Sequence, residues 1–222
     1  YREVRGLHQA AYVLAFFAFG SQLLALVRDR MLAHQFGAGS ELDVYYTAFR
    51  IPDLLYVLFA STLSVYVLIP FVSRRMQSDE SGEEARALLA QVFSLFLLLY
   101  VLLAGVIALL APVLTPILFP GLDGQQESVV LLMRILLLQP MLLGVSSLFG
   151  VVTQLGHRFV LYAVSPLLYN IGIILGIVVL FPMIGIAGLA WGVVLGALGH
   201  MFVQLPLVRS SALSFGLTTK IS

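Results

Sequence analysis

The sequence predicts an all-α, polytopic membrane protein with six transmembrane helices. Three observations carry that reading. Of 222 residues, 60% are hydrophobic and 10% charged, where a soluble domain carries about 25% charged residues. The mean hydropathy is +1.03. The apolar runs are about 20 residues long, the length of a helix crossing a hydrocarbon core, and they lack the period-2 alternation of a β-barrel strand.

Six runs qualify in order: 7–34, 42–72 (with Pro52 inside it), 84–111, 128–155, 159–181 and 184–208. Their links differ in chemistry. "SRRMQSDESGEEARA" (73–87) is a charged, solvated loop. "FPGLDGQQES" (119–128) carries turn residues and no Lys or Arg, "GHRF" (156–159) is a tight basic turn, and "FPMIG" (181–185) is a tight uncharged one. If six helices span, Arg2, Arg5, Arg74, Arg75, Arg86, Arg158, Arg209 and Lys220 all fall on one side. The positive-inside rule makes that side, and both termini, cytoplasmic. Arg28 and Arg30 sit towards the other side.

Those two belong to the most charged part of the membrane sequence, "LVRDRMLAHQFGAGSELDVYYTAFRIPDLLY" (26–56), with Arg28, Asp29, Arg30, Glu41, Asp43, Arg50 and Asp53. A charge at the bilayer centre costs about 2.5–3.5 kcal/mol on insertion scales, so such groups persist by facing water, one another or a ligand. Asp43 and Arg50 are seven residues apart, hence on one helical face; Arg50 and Asp53 are three apart. Two readings stand. One is an ordinary extracytoplasmic loop, "HQFGAGSELD", with local ion pairs. The other, favoured for Arg28, Asp29 and Arg50, is a water-filled cavity.

Both a snorkelling and a cavity-lining role are open to Arg134. His200 reads as a hydrogen-bonded interior histidine rather than a proton carrier. Asn170 and Gln204 read as bonds across helices. Pro52, Pro140, Pro166 and Pro206 can kink helices, and Gly185, Gly188, Gly192, Gly196 and Gly199 form a small-residue stripe suited to close packing.

Other classes find no support. The net charge is +1 and there are no cysteines, so neither a nucleic-acid surface nor thiolate chemistry is indicated. HExxH, Walker A and GxSxG are absent; no enzyme chemistry, metal or cofactor is implied. No cleavable signal peptide is visible. The chain opens on Tyr1 and closes on "TTKIS" just past an apolar run, which reads as a piece of something longer.

The order of residues in "RDRMLAHQFGAGSELDVYYTAFRIPDLL" resembles the first signature of the MviN/MurJ-type lipid II flippases, in the multidrug/oligosaccharidyl-lipid/polysaccharide exporter superfamily. Ser21, Arg28, Asp29, Ala33, Phe36, Gly37, Gly39, Asp43, Ala48, Phe49, Arg50, Pro52, Leu54 and Leu55 meet its pattern. "RFVLYAVSPLLYNIGII" is similar to the family's fifth helix and "GLAWGVVLGALGHMFVQLPLV" to its sixth.

The resemblance implies one lobe (1–222) of a two-lobe transporter, both lobes facing a central cationic cavity, in the bacterial inner membrane. It implies alternating access and a polyprenyl-pyrophosphate-linked sugar–peptide cargo, with membrane lipid and a second lobe as further partners. The substrate-binding set it points to is Arg28, Asp29, Asp43 and Arg50, with Ser21 and Gln22. Arginine's planar fork suits pyrophosphate because it can donate two bonds to phosphate oxygens. Three departures stand out: Gln22 and Tyr56 where the family often has arginine, and "AST" (60–62) where it has "AEG". They leave room for another lipid-linked glycan or a cation as cargo, or for a scaffold that has lost transport.

Overall fold

The structure, a computed structural model, describes residues 7–37, 39–63, 65–79, 81–122, 124–211 and 213–218. The described residues form helices and no strands: α1 (Leu7–Phe36), α2 (Ser40–Leu63), α3 (Val65–Ser78), α4 (Glu83–Leu118), α5 (Gln126–Leu136), α6 (Leu138–Leu155), α7 (Phe159–Leu175), a π-helical turn (Gly176–Leu180), α8 (Phe181–Ile184), α9 (Ala187–Phe202) and α10 (Leu205–Ser210).

The membrane-helix class is as expected. Among the described residues, five stretches are long and apolar enough to cross a bilayer, one fewer than the six expected: Ala11–Phe36, Glu83–Leu118, Gln126–Leu155, Phe159–Ile184 and Ala187–Ser210. The segment expected as the second span, 42–72, is helical on both sides of residue 64, which lies outside the described residues, as α2 and α3. Glu41, Asp43, Arg50 and Asp53 all lie on α2. Three further boundaries shift. α4 runs on to Leu118 through Pro112 and Pro116. The run 128–155 divides at Leu137. The last run ends as a long α9 and a short α10, with Pro206 in the first turn of α10.

Local chemistry accounts for these ends. α1 stops at Gly37, whose φ of 58° is the left-handed conformation that glycine adopts freely. Pro140 has no N–H for the carbonyl of Leu136, so the α5–α6 junction is where the ladder breaks. The buried Tyr100 hydroxyl donates to the Leu137 carbonyl there, at 2.6 Å. At the start of α4, Asp79 accepts bonds from the Ser81 hydroxyl and the Glu84 N–H. The Ser81 hydroxyl bond, then these backbone N–H groups, hold its carboxyl below the usual carboxylate range.

The α5–α6 span is the centre of the bundle, with 72% of its most apolar window buried. One core cluster joins α3, α4 and α6 through Val72, Leu89, Phe96, Tyr100, Leu148 and Val151; another joins α2, α5 and α9 through Ala48, Leu132, Met133, Leu136 and Val193. α7 and α9 meet through glycines. A Cβ built on Gly172 would lie 2.2 Å from the Gly196 Cα, and one on Gly192 2.4 Å from the Gly176 Cα. α1 leans on α7, and its other faces expose Tyr12, Phe16, Phe19, Leu23 and Leu26, a surface suited to acyl chains.

Gln204 and His200 pair across helices as expected. Gln204 is fully buried and donates to the Ser146 hydroxyl at 2.8 Å, while Thr153 donates to its carbonyl oxygen at 3.1 Å. His200 Nδ1 and the Ser146 hydroxyl are 2.7 Å apart.

Arg134 follows a third course. Its Nε donates to the Ala108 carbonyl of α4 at 2.9 Å. That carbonyl lacks its usual helical donor because residue 112 is proline. In hydrocarbon an unpaired carbonyl is costly, and the guanidinium replaces the missing N–H. A double-mutant cycle of Arg134→Leu and Pro112→Ala, read as thermal unfolding in detergent, is expected to show a coupling of about 1 kcal/mol. Strict additivity would contradict the assignment.

Candidate functional site

Arg28, Asp29, Asp43, Arg50 and Asp53 line one cavity of about 650 Å³ between α1, α2 and α7, with Leu32, Tyr45, Tyr46, Thr47, Phe49, Tyr169 and Ile173 completing the lining. α1 brings Arg28 over α7. The Nε and one terminal nitrogen of Arg28 each lie 2.8 Å from Asp29 Oδ1. Its other terminal nitrogen donates to Asn170 Oδ1 at 3.1 Å. Asn170 in turn donates to the Ser21 hydroxyl at 3.1 Å and the Pro166 carbonyl at 3.1 Å. Arg28 is therefore anchored on two sides, and a guanidinium with five N–H donors keeps some of them for a ligand. Its side chain is 24% exposed, that of Asp29 54%.

Arg50 is exposed to the same cavity and has no ion pair within 4.0 Å among the described residues. The lining carries both signs: Asp29, Asp43 and Asp53 outnumber Arg28 and Arg50. A purely cationic chamber, implied by the resemblance, is not what these helices build by themselves. Asp29 neutralises Arg28 by direct contact, and Asp53 stands one helical turn from Arg50.

Ser21 and Gln22 line a second cavity, about 440 Å³, two turns along α1 from Asp29. It shares Arg28, Asp53 and Tyr169 with the first, so the two adjoin. Tyr56, Gln139, Ser147, Asn170 and His200 complete much of its wall. Gln139 is 4% exposed, and its sealed Oε1 has no hydrogen-bond partner among the described residues, at a cost of about 1–3 kcal/mol. Arg30 is apart from both cavities. With His34 and Gln35 it edges a groove between α1 and the π-helical turn, lined also by Val27, Ile177 and Pro182. Glu41 is exposed in the first turn of α2.

Sequence reasoning passed over Tyr45, Tyr169, Gln139 and Ser147. Gln139, the polar residue of "LLLQPM", carried a signal: an amide in an apolar run needs a partner. The tyrosines carried none, because aromatic residues in a membrane helix ordinarily pack.

Comparison with known proteins agrees with this architecture. The family profile described as "Lipid II flippase MurJ" matches residues 32–221. The probable lipid II flippase MurJ of Buchnera aphidicola subsp. Acyrthosiphon pisum is 31% identical over 194 residues, 84% of this chain and 37% of its own length. The lipid II flippase MurJ of Burkholderia cenocepacia is 28% identical over 205 residues, 90% of this chain and 40% of its own. A solved structure, "Lipid II flippase MurJ, inward closed conformation", superposes with a TM-score of 0.77 at 21% identity, over 94% of this chain and 43% of that one; it speaks to the fold. The chain thus spans about two-fifths of the length of these relatives. On the family profile and the relatives together, this chain is a multi-pass membrane protein that belongs to the MurJ lipid II flippase family.

Proposed function

We propose that this chain is one lobe of an inner-membrane transporter that flips a polyprenyl-pyrophosphate-linked peptidoglycan precursor, lipid II, by alternating access. The observation that carries the reading is the cavity that gathers Arg28, Asp29, Asp43 and Arg50 between two helix faces. No covalent bond is made or broken in such a process, so the protein is a transporter rather than an enzyme.

The residues divide the work by geometry. Arg28, held by Asp29 and Asn170, presents its remaining donors to one phosphate. Arg50, with no ion pair within 4.0 Å among the described residues, is a second grip. A guanidinium–phosphate hydrogen bond contributes about 1.5–3 kcal/mol. Asp43 and Asp53 line the same cavity as Arg50; Arg50 closes on phosphate when the lipid is bound and on those carboxylates in the alternate state. Exchange of that kind gives the bound lipid a differential affinity for two states, which is what alternating access requires. Because carboxylates outnumber guanidiniums on this lobe's wall, further positive charge comes from a second lobe facing it. With the 42–72 run crossing as a sixth span, the positive-inside rule puts both termini and the basic loops on the cytoplasmic side.

Arg28→Ala in the full-length protein is expected to abolish rescue of a flippase-depleted strain, read as colony formation. Full rescue would remove Arg28 from the transport cycle. A second reading, another lipid-linked glycan as cargo, is favoured by Gln22 and Tyr56 in the smaller cavity, where the family often has arginine.

A further inference from the structure

We infer that the groove edged by Arg30, between α1 and the π-helical turn, binds an anionic phospholipid of the outer leaflet, with its phosphate on Arg30 and one acyl chain along the apolar floor. This site is separate from the cargo cavity and goes beyond the flippase reading. It takes from that reading only the topology, which puts the end of α1 that carries Arg30 away from the cytoplasm.

The first support is position. The groove has a volume of about 440 Å³ and shares no residue with either of the other two cavities. Arg28, Asp29 and Leu32 line the larger cavity, and Val27, Arg30, Met31 and His34 line the groove. At about 100° per residue, the two sets lie on opposite sides of α1. The groove therefore looks away from the chamber between α1 and α2. Beside it on α7, the π-helical turn and α8 are the exposed Leu175, Val179 and Met183, apolar surface suited to acyl chains.

The second is the order of chemistry along the groove. Gln35, His34 and Arg30 stand in succession above Val27, over about 12 Å of helix at 1.5 Å per residue. Across from them, Ile177 and Val178 lie deeper than Pro182. Polar groups thus occupy the end next to the membrane surface and aliphatic ones the end next to the bilayer centre. A phospholipid has the same order, a charged head followed by its chain.

The third is charge. Arg30 is exposed and has no ion pair within 4.0 Å among the described residues, and the lining of the groove includes no carboxylate. Arg28, two residues away, is closed on Asp29. A guanidinium at the edge of hydrocarbon calls for an anion, and its planar fork can donate two bonds to one phosphate. A zwitterionic head also brings an ammonium, for which the groove has no carboxylate, so an anionic head is preferred. The chain of the cargo is a poorer occupant, because its pyrophosphate is held on the opposite side of α1.

The experiment uses the full-length protein with Gln35→Cys as its single cysteine, labelled with an environment-sensitive fluorophore. It is titrated in detergent with dioleoyl phosphatidylglycerol or dioleoyl phosphatidylcholine. The anionic lipid is expected to reach half its fluorescence change at a concentration about tenfold lower, the effect of one charge-assisted hydrogen bond. Arg30→Gln is expected to bring the two lipids within about twofold of each other by weakening the anionic one. Its retained response to phosphatidylcholine shows that the variant is folded. Equal responses to the two lipids before Arg30 is changed, or a preference for the anionic lipid that survives Arg30→Gln, would overturn the site. A response to a polyprenyl phosphate at lower concentration than to phosphatidylglycerol would give the groove to the chain of the cargo and overturn it as well. Each of these outcomes leaves the flippase reading standing, because the rescue assay with Arg28→Ala tests that reading separately.

Discussion

Gly192→Leu is expected to abolish recovery of a folded, monodisperse protein. Gly192 faces Gly176 across the α7–α9 contact, and an added Cβ would meet backbone at 2.4 Å. Gly196 faces the Tyr169 carbonyl with 2.3 Å available, and Gly188 the Leu180 carbonyl carbon with 2.4 Å. Backbone cannot rotate aside as a flexible side chain can. The two helices have to separate along their length, and overpacking of this kind costs about 1–3 kcal/mol for a single methyl and more for a larger group. Separation also carries Tyr169 and Asn170 away from α1, so loss of the fold and loss of the site are one event. Gly192→Ala should fold with a lower melting temperature in detergent. Gly105→Ala is the control: nothing lies within 4 Å of its Cβ, and removing a helical glycine gains about 0.5–1 kcal/mol. Equal melting temperatures for Gly192→Ala and the unmutated protein would show that the glycine contact is not tight.

Arg28→Lys is the second large effect expected, although it keeps the charge. Arg28 makes contacts in two directions at once, to Asp29 and to Asn170, through separate nitrogens of a planar group. An ammonium is a point charge with one nitrogen. It reaches one of these partners and leaves the other without its donor. Binding of a polyprenyl pyrophosphate should fall at least about tenfold, the loss of one charge-assisted bond. Arg50→Lys is expected to be milder, because Arg50 is an exposed group with no ion pair within 4.0 Å among the described residues. Comparable losses at the two positions would mean that the anchoring of Arg28 has no part in binding.

The sequence showed the membrane class and the site region for the same reason. Charges in an apolar run are expensive, so Arg28, Asp29 and Arg50 had to have a polar environment whatever the fold. It did not show which helices meet. The bond from Asn170 to Ser21 spans 149 positions, and periodicity along one helix does not name its neighbour. It missed Gln139 because a glutamine before a proline reads as a kink, and only packing shows that its carbonyl oxygen is left over. The glycine stripe was legible as a tight face, but its partner, the Gly172 and Gly176 side of α7 and the π-helical turn, was not.

The central claim is that the larger cavity is wet and receives an anionic lipid head. Thr47 lines it without charge, and the chain has no cysteine, so Thr47→Cys places one thiol of this lobe in the cavity. The rate of its modification by a charged, membrane-impermeant thiol reagent is the direct measurement, taken with and without saturating polyprenyl pyrophosphate. The account predicts ready modification that the lipid slows. A thiol that does not react, or one that reacts at the same rate with the lipid present, would contradict it.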